Sequence, residues 1–212
     1  MSPRRAKAVG GRVGESPAAA LREHLIDATE GLLASAPISA ITTRDIAHAA
    51  GVSDGVLYNY FEDKTELVLA ALLRRYEGLA ARFDAALPEA GTATVEENLT
   101  AFGRGLLDLL TDSLPTVAGL LTEPVLFHRL FEEIHRNILS PQYMQQRLVD
   151  YLRAEQALGR LPAGADPAPV VTLLMGSAIV LTLGSHLTPN PDRAALAGQL
   201  DEIVVSIIRG MA

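Results

Sequence analysis

From residue 17 onward the apolar positions recur at the spacing of an α-helix. Leu21, Leu25, Ile26, Ala28, Leu32 and Leu33 predict a helix over 17–36, opened by Ser16-Pro17 and closed by Pro37. Thr42-x-x-Asp45 has the form of a capping box with Asp in the usual Glu/Gln place, and opens a short helix to Ala50. Gly51 marks a turn, and Ser53 caps a second short helix to Phe61. Asp63-x-x-Glu66 then opens a long helix over 64–87 carrying Leu67, Leu69, Ala70, Leu73, Leu79 and Phe83. The second part continues in the same grammar. Helices are predicted at 94–114, with an interruption at Pro115, then at 116–121, 124–137, 140–157, 167–187 and 191–209. No strand pattern and no internal repeat is present, so the fold class is all-α with about nine helices.

Residues 42–61 read TTRDIAHAAGVSDGVLYNYF, two short helices around a glycine turn. Ala47 is small where two such helices cross, and Gly51 suits the turn. Ile46, Ala50, Val52, Leu57 and Tyr60 or Phe61 supply an inward apolar set. The pattern is that of a helix-turn-helix, with the second helix as the reader of a DNA major groove. On an α-helical wheel Leu57 and Phe61 face inward, while Gly55 and Asn59 face outward between Val56 and Tyr58. Gly55 permits close approach to the groove floor. Val56 suits a thymine methyl, Asn59 an adenine edge or a phosphate, and Arg44 a guanine edge. Ser53, Tyr58, Tyr60 and Thr43 offer hydroxyls to phosphates, and Lys64 offers charge. Asp54 is a candidate for cytosine N4, although a carboxylate near phosphates is repelled and it can equally serve as a cap. Tyr60 can equally be core, and Lys64 or Asn59 ordinary polar surface.

The run T-T-R-D-I-A-x-A-A-G-V-S-x-G-x-L-Y-x-Y-F-x-x-K-x-x-L, from Thr42 to Leu67, resembles the DNA-binding domain of the TetR family of bacterial transcriptional regulators. Extended by the preceding helix, the match covers roughly a third of the chain; beyond it only size and helical grammar agree. Residues 1–15 mix Gly, Ala and Arg with no apolar period and read as a flexible basic arm; the resemblance implies a three-helix DNA-binding domain over 16–63. It implies an effector-binding and dimerisation domain over 64–212, in which 64–87 is the linking helix. It also implies Thr43, Arg44, Asp54, Gly55, Val56, Tyr58, Asn59 and Lys64 as DNA contacts, and the last two helices as the dimer interface. The partners implied are double-stranded operator DNA, a small-molecule effector and a second copy of the chain.

Composition and charge adjust this picture in a few places. The 212 residues are 49% hydrophobic, without cysteine or tryptophan, which excludes a disordered chain, a disulfide scaffold and thiolate chemistry. The formal net charge is −7, yet residues 1–75 hold nine basic and nine acidic residues, so all the excess negative charge falls later. In the arm, Arg4, Arg5 and Arg12 are candidates for the minor groove, with a solvated tail as the alternative. The N-terminus has no apolar signal region, and the apolar run at 170–183 is broken by Thr172, Gly176, Ser177 and Thr182; a cytoplasmic protein with no membrane partner is expected.

The helix at 167–187 is apolar on nearly all sides, which requires burial all round, in a core or against a second subunit. Gly176, Ile179, Val180 and Leu183, with Leu196, Leu200, Ile203 and Ile207 of the last helix, are the candidates for a two-fold interface. Such a dimer implies a palindromic operator. Phe102, Leu106, Phe127, His128, Phe131, Tyr143, Met144 and Met175 are candidates to line an apolar effector cavity, or are ordinary core. His128, Glu132 and His135 share one helix sector, but without HExxH or cysteine they read as a polar face or pocket wall; no metal and no cofactor is expected. No nucleophile elbow, phosphate loop or dinucleotide motif is present, so an enzyme is not expected. The reading is a ligand-responsive dimeric repressor, with activation, control by a protein partner, or a helical enzyme as alternatives.

Overall fold

The computed structural model describes residues 16–136 and 141–211. Arg4, Arg5 and Arg12, and the whole expected arm at 1–15, lie outside the described residues. Among the described residues there are eight α-helices: α1 (Pro17–Leu33), α2 (Thr43–Ala49), α3 (Lys64–Ala86), α4 (Val95–Leu120), α5 (Pro124–Arg136), α6 (Pro141–Ala157), α7 (Pro167–Leu187) and α8 (Arg193–Met211). A 3₁₀ segment, Asp54–Asn59, follows α2, and a shorter one covers Ile38–Ala40. There is no strand among the described residues.

Local chemistry accounts for most boundaries. The Ser16 hydroxyl accepts the Ala19 N–H at 3.2 Å, and Pro17 fills a position whose N–H would be unpaired in any case. At α4, Thr94 Oγ1 accepts the Glu97 N–H at 3.1 Å while the Glu97 carboxylate accepts the Thr94 N–H at 2.9 Å. Asp166 opens α7 by accepting the Ala168 N–H at 3.1 Å. Three expected boundaries move. α1 stops at Leu33 rather than 36, because Ala34–Ala36 form a turn bonded back to Glu30 and Leu32. α8 opens at Arg193 rather than 191, because Asp192 accepts the Ala194 and Ala195 N–H groups and is the cap. The expected break at Pro115 is absent, and α4 runs through it. Pro115 is exposed, so its ring sits on the solvent side of the turn, where the Thr111 carbonyl that loses its helix partner can be solvated.

The chain divides into two compact units, and the division differs from a cut at 63/64. Among the described residues the first comprises 16–77 together with Thr116–Arg136; the second comprises Gly78–Pro115 and 141–211. The core of the first is built on Leu25, Ile46, Ala47, Leu57, Phe61 and Leu67, all at most 3% exposed. In the second, Phe102, Leu148, Leu152, Leu174, Leu200 and Val204 form the centre, and Phe83 meets Phe102 edge to face at 5.3 Å. This unit also buries a carboxylate. Glu155 is fully enclosed, accepts the Gly91 N–H at 3.2 Å and pairs with Arg160 at 3.3 Å, which meets the need of a buried charge for a partner. It thereby anchors the left-handed turn at Gly91 (φ 83°).

By length and composition α7 is apolar enough to cross a membrane, contrary to the expectation that its run is too short and mixed. Its apolarity has two destinations. Val170, Val171, Leu174, Ala178 and Thr182 are buried, while Leu173, Ile179, Val180, Leu183 and Leu187 stand exposed. The single structure of the chain therefore accounts for only one face.

Packing at Gly103 gives a stability test. A Cβ there would stand 2.9 Å from Leu200 Cδ2, within a packed core, whereas one at Gly31 meets nothing within 4 Å. Gly103→Ala is expected to destabilise by roughly 1–3 kcal/mol through overpacking. Gly31→Ala is expected to stabilise by about 0.5–1 kcal/mol through helix propensity. Denaturant unfolding of the two variants measures both.

Candidate nucleic-acid interface

The interface is assembled from the turn outward. α2 ends at Ala50, and Gly51 takes φ 67°, a left-handed value that costs a side-chain-bearing residue about 1 kcal/mol. This lets the Gly51 N–H donate to the His48 carbonyl at 3.1 Å and the Val52 N–H to the Ala47 carbonyl at 2.9 Å, the paired bonds of a Schellman cap. The chain is thereby redirected into the 54–59 segment. His24 of α1 adds a bond from Nε2 to the Ala50 carbonyl at 2.9 Å. At the other end of α2, Thr42 and Asp45 form the full capping box: the Asp45 N–H donates to Thr42 Oγ1 at 3.2 Å, and the Thr42 N–H to the Asp45 carboxylate at 2.9 Å. The Thr42 hydroxyl, with its backbone N–H second, holds the Asp45 carboxyl below the usual carboxylate range.

The reading segment is 3₁₀, not α-helical, and this changes which residues share a row. With three residues per turn, positions i and i+3 eclipse. Gly55 lines up with Tyr58, and Val56 with Asn59, in place of the Gly55–Asn59 row of an α-helical wheel. Leu57 points into the core at 2% exposure, and Tyr58 projects at 60%. Gly55 and Asn59 are exposed, Val56 half-buried, and a Cβ at Gly55 would meet nothing within 4 Å. Ser53 precedes the segment without spending its side chain on a cap, so its hydroxyl is available outward. Asp54 is exposed in the first turn. Thr43 is half-buried and Arg44 exposed in the first turn of α2, beside the charge of Asp45.

Two expected contacts take on structural work. Lys64 Nζ donates to the Ile41 carbonyl at 2.8 Å, tying the start of α3 to the strand of chain before α2. An ammonium has three donors, so charge and two N–H groups are left for a phosphate. Tyr60 is half-buried and packs on the first unit's core. The bonds made by His24 and Lys64 carry no sequence signal, because each joins a side chain to a backbone carbonyl more than twenty residues away. Row formation at Glu23, Asp27 and Glu30, by contrast, is readable as i, i+4, i+7 spacing on α1.

A family model for bacterial regulatory proteins of the tetR family matches residues 25–71, the span from the middle of α1 into α3. Residues 25–71 are thus similar to the DNA-binding segment of the tetR family. HTH-type transcriptional regulator YvkB of Bacillus subtilis is 27% identical over 178 residues, which is 82% of this chain and 90% of that protein. The HTH-type transcriptional repressor KstR of Mycolicibacterium smegmatis is 35% identical over 71 residues, about a third of each chain. Among solved structures, the regulator FadR from Bacillus subtilis in complex with stearoyl-CoA superposes with a TM-score of 0.61 at 17% identity, over 90% of this chain and 99% of that one. The matches support a DNA-binding transcriptional regulator with a helix-turn-helix in its first unit, and the solved structure shares the all-α fold.

The remaining sequence-derived residues are distributed over both units. Phe102 and Leu106 are buried, and Tyr143, Met144 and Met175 half-buried, in the second unit; Phe127, His128 and Phe131 belong to the first. Phe127 and Phe131 pack at 4.5 Å, and the exposed His135 ring bonds the Phe131 carbonyl at 2.7 Å. No group of three His, Asp or Glu residues among the described residues could hold a metal ion. On α7 and α8, Ile179, Val180 and Leu183 are exposed and Gly176, Leu196, Ile203 and Ile207 partly so. Leu200 is corrected: it is fully buried against Gly103 and Leu174 of its own unit, so it offers no surface to a partner.

Two variants test the site. Tyr58→Ala removes the largest exposed side chain of the segment and is expected to weaken operator binding about tenfold or more with unchanged circular dichroism. Thr42→Ala removes the capping box and is expected to lower the unfolding midpoint at neutral pH. The Asp45 carboxyl is depressed in the folded state, so its contribution is present above the ordinary carboxylate range and lost as pH falls through the depressed value. The gap between wild type and variant therefore closes on acidification, as pH-dependent unfolding will show.

Proposed function

We propose that the protein is a ligand-responsive repressor that binds a palindromic operator as a homodimer and leaves it when a small molecule binds. The observation that carries the reading is the exposed Gly55/Tyr58 and Val56/Asn59 face of the 3₁₀ segment. That face lies on a turn held by Gly51, His24 and Lys64. In this reading Tyr58, Asn59, Val56 and Arg44 reach base edges or phosphates. Ser53, Thr43, Tyr60 and Lys64 position the unit on the backbone. Gly55 permits close approach, and Asp54 stands at the margin of the contact.

The homodimer is supported by α7 and α8. Val180 is 68% exposed and Leu187 79%, on a helix whose opposite face is core. An open groove of about 700 Å³ between α7 and α8 is lined by Leu173, Leu181, Ile203 and Ile207, with Ser177 and Glu202 as polar members. Contiguous apolar surface of this kind is removed from water by a second copy. Gly176, Ile179, Val180, Leu183, Leu196, Ile203 and Ile207 form this face in the proposal.

The effector is proposed to be an apolar molecule held in the second unit near Phe102, Leu106, Tyr143, Met144 and Met175. Support comes from the FadR neighbour, whose structure contains stearoyl-CoA, a ligand with a long apolar chain. The effector acts by favouring a dimer state that fits DNA poorly, and it shifts the population only as far as its affinities for the two states differ. KstR, similar over the DNA-binding part, is a repressor, which favours repression over activation here. All of these steps are binding events on cytoplasmic DNA, with no catalytic turnover.

Selection of bound duplexes from a random pool at stated salt is expected to return a palindrome with half-sites about one helical turn apart. Recovery of an unsymmetrical site, or no enrichment, overturns the dimeric-operator reading. Val180→Glu is expected to yield a folded monomer by sedimentation and to abolish selection. A Val180→Glu dimer with full operator affinity refutes the α7 interface.

A further inference from the structure

We infer that Arg74 is a positioning residue for operator recognition, holding α1 and the reading segment in register with α3. Its guanidinium divides among three carboxylates of α1. Nη1 stands 3.1 Å from Glu23, Nη2 2.5 Å from Asp27 and Nε 3.1 Å from Glu30. The three acids are spaced i, i+4 and i+7, so they form one row along α1. Nε and Nη1 donate hydrogen bonds to Glu30 and Glu23, seven residues apart on the helix, while Nη2 lies against Asp27 as an ion pair without hydrogen-bond geometry; the two donated bonds define the rotation and axial position of α1 against α3.

The contacts continue to the reader. The second oxygen of Glu23 pairs with Arg22 Nη1 at 3.4 Å. The Arg22 guanidinium lies 4.9 Å from the centre of the Phe61 ring, within cation–π range. Phe61 is buried immediately after the reading segment, and its N–H bonds the Leu57 carbonyl. Next to Glu23, His24 bonds Ala50 at the turn. A connected path of ion pairs and packing therefore leads from α3 through α1 to both ends of the DNA-reading element, all within the first unit.

The network is better placed to orient than to stabilise. Glu23 is 45% exposed and Asp27 67%, and pairs with that much solvent contribute little to global stability. Without Arg74, three like charges in one row repel, and α1 loses the contact that selects one register. Lysine conserves the charge, but as a point charge it cannot engage the row with a rigid fork. Charge and geometry are therefore separable by Arg74→Lys.

The inference rests on the operator-binding reading, and the test separates the two. Wild type, Arg74→Lys, Arg74→Ala and Arg22→Gln are compared for affinity to the selected operator and to a scrambled duplex at one salt concentration. Arg74→Lys is expected to lose about tenfold on the operator, while its scrambled-duplex affinity and unfolding midpoint stay near wild type. Arg22→Gln combined with Arg74→Lys is expected to lose no more than the worse single variant, since both interrupt one path. Amide exchange in the free protein gives a readout without any operator: Arg74→Lys is expected to speed exchange at Tyr60 and Phe61, whose N–H groups bond Leu57. Operator affinity within twofold of wild type overturns the inference, as does equal loss on both duplexes or unchanged exchange at those two amides. If Arg74→Ala does not fold, Arg74→Lys carries the comparison. Failure of wild type to select any site counts against the operator reading, and the exchange result then decides the role of Arg74.

Discussion

The direction in which the reading segment leaves α2 depends on a single left-handed residue, Gly51. At φ 67° it allows two successive backbone N–H groups to close on the end of α2. Every other feature of the interface is measured from that corner. Leu57 reaches the core, and Tyr58 consequently faces out, only because the turn brings the segment across α2 at one angle. The bonds from His24 and Lys64 fasten backbone carbonyls on either side of α2. They secure positions that sterics at the corner have already chosen.

How much of this could be read from the chain varies with the range of the interaction. Caps at Ser16 and Thr42–Asp45 were legible, because each is a contact within three residues whose chemistry is complete in the local sequence. The helix-turn-helix was legible for the same reason, with Ala47, Gly51 and Leu57 each answering a separate steric need. Pro115 misled, because the cost of a helical proline depends on whether its face is exposed, which no local pattern shows. The 3₁₀ geometry of 54–59 was also hidden: an inward Leu57 suits a three-residue turn as well as a 3.6-residue one.

Longer-range facts were illegible in a different way. Leu200 and Ile203 are three residues apart and both apolar, yet one lies fully in the core and the other lines an open groove. Only the packing of Gly103 against Leu200 distinguishes them. α7 shows the same limit at the scale of a helix. Uniform apolarity demands burial on every side but does not say which side the chain itself supplies. Arg74 lies more than forty residues from its three partners, so nothing in the local spacing of Glu23, Asp27 and Glu30 names it as their partner.

Gly55 is the one position on the reading face that has no side chain and no protein atom within reach of a new one. Its backbone is not left-handed, so the fold places no demand on the identity of this residue. Most surfaces that contact a ligand are constrained from behind by their own core; in the proposed contact this one is constrained only from the front, by the duplex. Operator preference at that point can therefore drift by substitution without any compensating change inside the protein. Related regulators on the same scaffold can thus part ways in the genes they govern through one residue, while the corner, the caps and the acidic row stay as they are.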